Sequence, residues 1–245
     1  MSDDADDDLH VGTSGWQYDH WRGRFYPENL RKQDWFSHYA TVFDTVELNT
    51  SFYHLPKPQT VHNWHDAAPP RFRYAVKLSR YATHIKRLRD PEQTLAPFLE
   101  RIDALKSYCG PILVQLPPNW KPEIERLDAF LAAAPGRLDW TVEVRDPRWL
   151  SDELYAVLTD HGAALCIHDM IGDHPWRMTA DWTYLRFHGD HYRGSYENER
   201  LDAAADFIAE QRSAGKAVWA YFNNDEDAHA TADAQRLRER CHARA

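Results

Sequence analysis

The sequence predicts an α/β fold, a single TIM-like (β/α)8 barrel with a polar interior at its C-terminal mouth. Three observations lead there. Eight short apolar-rich runs recur at roughly thirty-residue intervals, their residues alternate with period two, and helix start and stop signals lie between them. The runs are Val11 to Trp16, Thr45 to Asn49, Arg73 to Ser79, Pro111 to Leu116, Trp140 to Arg145, Ala164 to Asp169, Trp182 to Gly189 and Ala217 to Asn224. In the fifth, Val142 and Val144 face one way while Glu143 and Arg145 face the other. Strands with helices between them imply βα units and a parallel sheet, and eight such units close into a barrel.

The intervening segments read as helices. Asp90 offers an N-cap with Pro91 in the first turn, and that helix is expected to run to Lys106. Pro122 opens a helix that Pro135 and Gly136 stop. Ser151 precedes Asp152 and Glu153, Gly215 closes the helix begun near Asn198, and Asn224 is the expected cap of the last helix. Between Asp169 and Trp182 the helical period is missing, so the sixth crossover is expected to be irregular. On strand six the phase stays open: Cys166 and His168 point inward if Leu165 and Ile167 face the helices.

A chain of 245 residues, 43% hydrophobic, suits one barrel with a proper core. Residues 1–8 are expected to be a disordered acidic tail and residues 9–245 a single domain. Cys109, Cys166 and Cys241 lack paired spacing and read as reduced thiols in a cytoplasmic protein. Apolar runs long enough for a membrane span are missing. The net charge is −9, and so acidic a surface disfavours non-specific adhesion to nucleic acid.

Barrel active sites form at strand C-termini and the loops that follow. The tip positions include Ser14, Glu47, Asn49, Lys77, Gln115, Glu143, Arg145, Arg186, His188, Tyr221 and Asn223, with Asp169 at the mouth. They read either as a buried ion-pair network or as the lining of a ligand cavity. Cost favours the cavity, because well-packed apolar residues replace buried ion pairs without loss of stability. Lys77, Arg145 and Arg186 outnumber Glu47 and Glu143, so the expected ligand is a small anion, a phosphate or carboxylate. His188, Glu47 and Glu143 are the candidate catalytic acid–base groups. Glu47, His84, Glu143, Asp169 and His188 could be imagined around a metal, but they lack metal-ligand spacing, and neither a metal nor another cofactor is called for. The loop Trp16 to Pro27 carries Trp16, Tyr18, Trp21, Phe25 and Tyr26. It either collapses on its own rings or forms a stacking wall for a sugar or nucleobase over the anion site, which would suit a nucleotide or sugar phosphate.

Gly12-Thr-Ser-Gly-Trp16, Trp21-Arg-Gly-Arg-Phe-Tyr-Pro27 and Thr45-Val-Glu-Leu-Asn49 with Phe52-Tyr53 resemble the opening of the YecE-like family, domain of unknown function 72. Lys77 with Thr83-His84, Leu113-Val-Gln-Leu-Pro-Pro118, Val142-Glu-Val-Arg145 with Trp149, Arg186-Phe-His-Gly189 and Tyr221-Phe-Asn-Asn-Asp225 continue the resemblance in order. It implies a TIM-like barrel and supplies no reaction. Asp233 departs from the pattern, since the family usually has Asn there. Three functions remain in competition. The leading one is an enzyme, a hydrolase or lyase, acting on a small anionic substrate by general acid–base chemistry. The others are a nucleic-acid binder or metal-dependent phosphodiester hydrolase, and a non-catalytic ligand-binding scaffold.

Overall fold

Eight parallel strands form a closed barrel in the order β1 to β8. They are β1 (Leu9–Ser14), β2 (Thr45–Leu48), β3 (Arg73–Lys77), β4 (Cys109–Gln115), β5 (Trp140–Glu143), β6 (Ala164–His168), β7 (Trp182–Phe187) and β8 (Ala217–Phe222). The computed structural model describes residues 8–189 and 191–244, so residues 1–7 of the expected acidic tail lie outside the described residues. Asp8 is tied down: its carboxylate accepts from Arg212 Nε at 3.0 Å and its carbonyl from the Val218 N–H at 2.7 Å.

Parallel neighbours need crossovers, and amphipathic helices supply them. They are α1 (Trp35–Val42), α2 (Thr50–Tyr53), α3 (Pro58–Ala67), α4 (Pro91–Ile102), α5 (Ile124–Ala133), α6 (Asp152–Asp160), α7 (Asn198–Ser213) and α8 (His229–His242). Helices α5 and α6 bury residues three and four apart: Leu127, Phe130 and Leu131 on α5, and Leu154, Tyr155 and Leu158 on α6. Ser151 caps α6 by accepting from the Leu154 N–H. Gly215, at φ +74°, stands just past the end of α7.

Two expected caps take other roles. Asp90 does stand at the N-cap of α4 with Pro91 in the first turn, but its backbone is left-handed and its carboxylate goes to Lys86 Nζ at 3.0 Å instead of to a helix N–H. Asn224 lies well before α8 and ties a loop together instead, as shown below. Helix α4 also stops at Ile102, and a 3-10 turn follows in which Lys106 takes a positive φ. The sixth crossover has no helix, as its missing period predicts. There Thr179 Oγ1 accepts from the Leu165 N–H at 2.8 Å and donates to the Ala163 carbonyl at 2.7 Å, which ties the crossover to β6.

By internal packing the chain divides into two compact units. The first holds the residues up to Glu47, His168–Met170 and the chain from Trp182; the second holds Leu48–Ile167 and Ile171–Asp181. In the first unit, β1 pairs with β2 (Ser14 beside Glu47) and with β8 (Gly12 beside Tyr221). A Cβ on Gly12 would stand 2.3 Å from the Thr45 carbonyl oxygen, so only glycine allows this approach. The aromatic loop after β1 packs inward: Trp21 and Tyr26 are buried, Tyr26 stacks on Trp35 at 4.7 Å, and Trp16 meets Phe36 edge-on. In the second unit, β4 pairs with β3 and with β5, which also pairs with β6.

Candidate functional site

Polar side chains stand at the strand C-termini: Ser14 and His168 in the first unit, and Lys77, Gln115 and Glu143 in the second, are each the last residue of a strand. Alternation brings Glu47 of β2 and Arg186 of β7 to one buried face of the first unit. Arg186 Nη2 donates to Glu47 Oε1 at 2.7 Å, and neither side chain is more than 1% exposed. Ser14 Oγ donates to the same oxygen at 2.7 Å, and the Tyr184 hydroxyl donates to Oε2 at 2.8 Å. Burial and the nearby Glu47 charge raise the Tyr184 pKa far above the phenol range, which keeps that hydroxyl a donor. Tyr221 shares a 2.6 Å hydrogen bond with Thr45 Oγ1 and packs on Tyr184 at 5.1 Å. With both its oxygens engaged, Glu47 is a buried counter-charge that locks β1, β2 and β7 together.

A second constellation in the first unit lies past the ends of β6 and β7. Asp169 Oδ1 accepts from the His188 backbone N–H at 2.9 Å and lies 3.2 Å from His188 Nδ1. A carboxylate there selects the tautomer with the proton on Nδ1 and leaves Nε2 as an acceptor. Oδ2 accepts from the Tyr196 hydroxyl, which in turn accepts from the Gly189 N–H at 2.5 Å. Burial raises the Asp169 pKa, but the hydrogen bonds from His188 and Tyr196 outweigh it and bring it down to about 2. The His168 ring lies edge-on to His188 at 6.0 Å, and its Nδ1 accepts from the Met170 N–H.

Tyr196 is positioned by Asp233, a buried residue of α8. Its carboxylate accepts from Ser195 Oγ at 2.7 Å, the Tyr196 N–H at 3.0 Å, Asn224 Nδ2 at 2.8 Å and Arg236 Nη1 at 2.6 Å. Four donors need acceptor oxygens, which explains an acid at this place. Sequence reasoning passed over Tyr196 and Asp233 as site residues. The signal for Asp233 was an acid on the face that also carries Ala230, Ala234 and Leu237. Asn223 is half-buried, and its N–H donates to the Phe187 carbonyl at 2.7 Å.

The second unit brings Lys77, His84, Glu143 and Arg145 together. Glu143 is fully buried and accepts a charge-assisted bond from Arg145 Nε, while Gln115 stands beside it in register on β4. Cys166 Sγ lies 3.9 Å from Glu143 Oε2, which sets the phase of strand six: Cys166 shares the face of Glu143. After β3, Tyr81–Ile85 forms a π-helical turn with the Lys86 N–H on the Tyr81 carbonyl. It presents His84 edge-on to Phe52 at 5.0 Å, and Lys77 Nζ lies 4.3 Å over the same Phe52 ring. Burial and the fields of Lys77, Arg80 and Arg145 push the His84 pKa down to about 4, against the opposing field of Glu143. Thr83 Oγ1 donates to the Ser79 carbonyl at 3.0 Å, so it accepts from His84 Nδ1, and the His84 Nε2 lone pair is left open. Asn49 Oδ1, at the end of β2, is a buried acceptor without a hydrogen-bond partner among the described residues. Among those residues, groups of three or more His, Cys, Asp or Glu arranged to hold a metal ion are missing.

Two outcomes check this geometry. Arg186→Met strands the Glu47 charge and should cost about 3–5 kcal/mol in denaturant unfolding, most of it recovered when Glu47→Gln is added; a cost below about 1 kcal/mol would refute the lock. Asp169 titrates below its ordinary value, so its stabilisation is fully present above about pH 4 and is lost as pH falls toward 2. The unfolding free energy of wild type over Asp169→Asn should therefore shrink by on the order of 2 kcal/mol across that window.

The chain is similar to proteins that bear no assigned activity. Residues 10–245 match the family described as "Protein of unknown function DUF72". The UPF0759 protein YecE of Escherichia coli K12 is 31% identical over 144 residues, 58% of this chain, and the match spans half the length of that relative. The UPF0759 protein YunF of Bacillus subtilis 168 is 24% identical over 94% of both chains. The crystal structure of a DUF72 family protein from Thermotoga maritima superposes with a TM-score of 0.86 at 26% identity, covering 94% of this chain and 98% of that one. With the matched span running through every strand from β1 to β8, the chain belongs to the DUF72, or YecE-like, family.

Proposed function

We propose that this protein is an enzyme acting on a small anionic substrate, phosphorylated or carboxylated, by general acid–base chemistry. The observation that carries the reading is the setting of His84, an imidazole kept neutral down to about pH 4 by burial and by Lys77, Arg80 and Arg145. Cationic side chains around a neutral, half-exposed ring suit an anion, which would meet Lys77 and Arg145 as charge partners. Asn49 Oδ1 offers an acceptor for a substrate hydroxyl.

The same electrostatics ties proton transfer to binding. With the site empty, the neighbouring cations disfavour a proton on His84 Nε2. A bound anion offsets their field, so the ring becomes a competent base when substrate is present. Glu143, paired with Arg145, supplies the carboxylate of this set. In the first unit His188, held by Asp169, is a separate candidate for proton transfer. Gln115, beside Glu143 in the same unit, falls to binding or support in this reading.

Sulfate, whose charge is constant over the range, should bind more tightly as pH falls from 6.5 to 4, because binding raises the His84 pKa. Calorimetric titration reads this, with loss of binding in Lys77→Met; affinity that is flat with pH, or unchanged in that variant, sinks the anion site. Incubation with a mixture of phosphorylated and carboxylated metabolites, followed by proton NMR, should show one anionic compound consumed. That turnover should fall at least about 100-fold in Glu143→Gln and in His84→Ala, each checked for an intact fold by circular dichroism. Wild-type turnover in both folded variants would refute the acid–base assignment.

A further inference from the structure

The segments around Phe52 carry a feature that anion binding alone leaves unused. Six large apolar side chains stand exposed among the described residues, and Tyr53, Leu55, Tyr81 and Ile85 are four of them. Single exposed apolar residues need no explanation, but a cluster beside a cavity does. Tyr53 (69% exposed) and Tyr81 (52%) both line a cavity of about 180 Å3 that also meets Phe52 and, on α4, Pro97 and Phe98. Ser51, Ser79 and Thr94 add a few hydroxyls to this mostly aromatic wall.

Phe52 joins the two features. It lines the cavity, and its ring also carries Lys77 Nζ over its face and His84 at its edge. Ser51, its neighbour in the cavity wall, donates to the Lys77 carbonyl at 2.7 Å. The backbone just past Tyr81 and His84 is costly. A π-helical turn is followed by Arg87, Leu88 and Asp90 with φ of 49°, 62° and 50°, a conformation that side chains with a Cβ rarely adopt. Such strain persists where the surroundings enforce it, and here the enforced arrangement sets aromatic rings next to a cationic group.

We infer that the anion recognised beside Phe52 is one end of a larger molecule whose other end is a flat aromatic ring. In chemical class it is a nucleoside monophosphate or a comparable aryl-bearing phosphate. The ring lies in the cavity against Phe52, between Tyr53 and Tyr81, and the phosphate reaches Lys77 and His84. This rests on the anion reading proposed above and adds to it the class of the attached group.

Calorimetric titration of the full chain with inorganic phosphate, ribose 5-phosphate, adenosine 5′-monophosphate and uridine 5′-monophosphate tests it. The nucleotides should bind at least about ten-fold tighter than ribose 5-phosphate, the increment of one stacked ring. Tyr81→Ala should remove that gain and keep the affinity for inorganic phosphate, while Tyr81→Phe should retain both. Equal affinity for nucleotides and ribose 5-phosphate overturns the ring and leaves the anion site standing. A gain indifferent to Tyr81→Ala overturns the cavity as its location. Failure of every probe, inorganic phosphate included, overturns the anion reading and this inference with it.

Discussion

A buried charge tolerates no vacancy beside it, and Glu47 is such a charge. Its carboxylate is sealed from water, so its stability depends on Arg186, Ser14 and Tyr184 arriving together. Those partners come from β1 and β7, and β2 supplies the acid itself, so one carboxylate fixes the mutual register of three strands. A set of leucines would fill the same space with less demand on geometry. The ion pair therefore contributes specificity of arrangement more than net free energy.

The loops past the strands repeat the same logic at lower burial. Asp233 collects donors from Ser195, Tyr196, Asn224 and Arg236, which fixes the segment that carries Tyr196. Tyr196 then completes the shell of Asp169, and Asp169 orients His188. Each member is held by hydrogen bonds from the next, so the imidazole is presented without depending on loop rigidity. In the second unit the device differs. A π-helical turn after β3 brings His84 to the ring of Phe52, and burial together with the fields of nearby cations holds it neutral. One imidazole is held by a carboxylate, and the other is kept neutral by burial and nearby positive charge.

Aromatic residues divide along the same line. The rings of Trp21 and Tyr26 satisfy the core, whereas Tyr53 and Tyr81 stay in contact with solvent. The loop after β1 reads in the sequence either as a self-packed loop, the favoured fate, or as a stacking wall. Packing against Trp35 and Tyr39 of α1 decides it, because burying a large ring is worth more than leaving it as an unoccupied wall.

The sequence by itself determined the barrel, its eight strands to within about two or three residues, the irregular sixth crossover and the cap at Ser151. These follow from period, propensity and local turn chemistry, which are properties of neighbours along the chain. The polar tip residues were legible for the same reason, since alternation placed Glu47, Glu143 and Arg186 opposite the apolar face. Only the tertiary structure decided what those residues do. Glu47 became a counter-charge because β7 brings Arg186 to it, Asn224 became a tie to Asp233 rather than a cap, and the strand-six phase was settled by Cys166 meeting Glu143. Hydrogen-bond partners 9 to 139 positions apart are chosen by how strands and helices pack, and no local pattern encodes that choice.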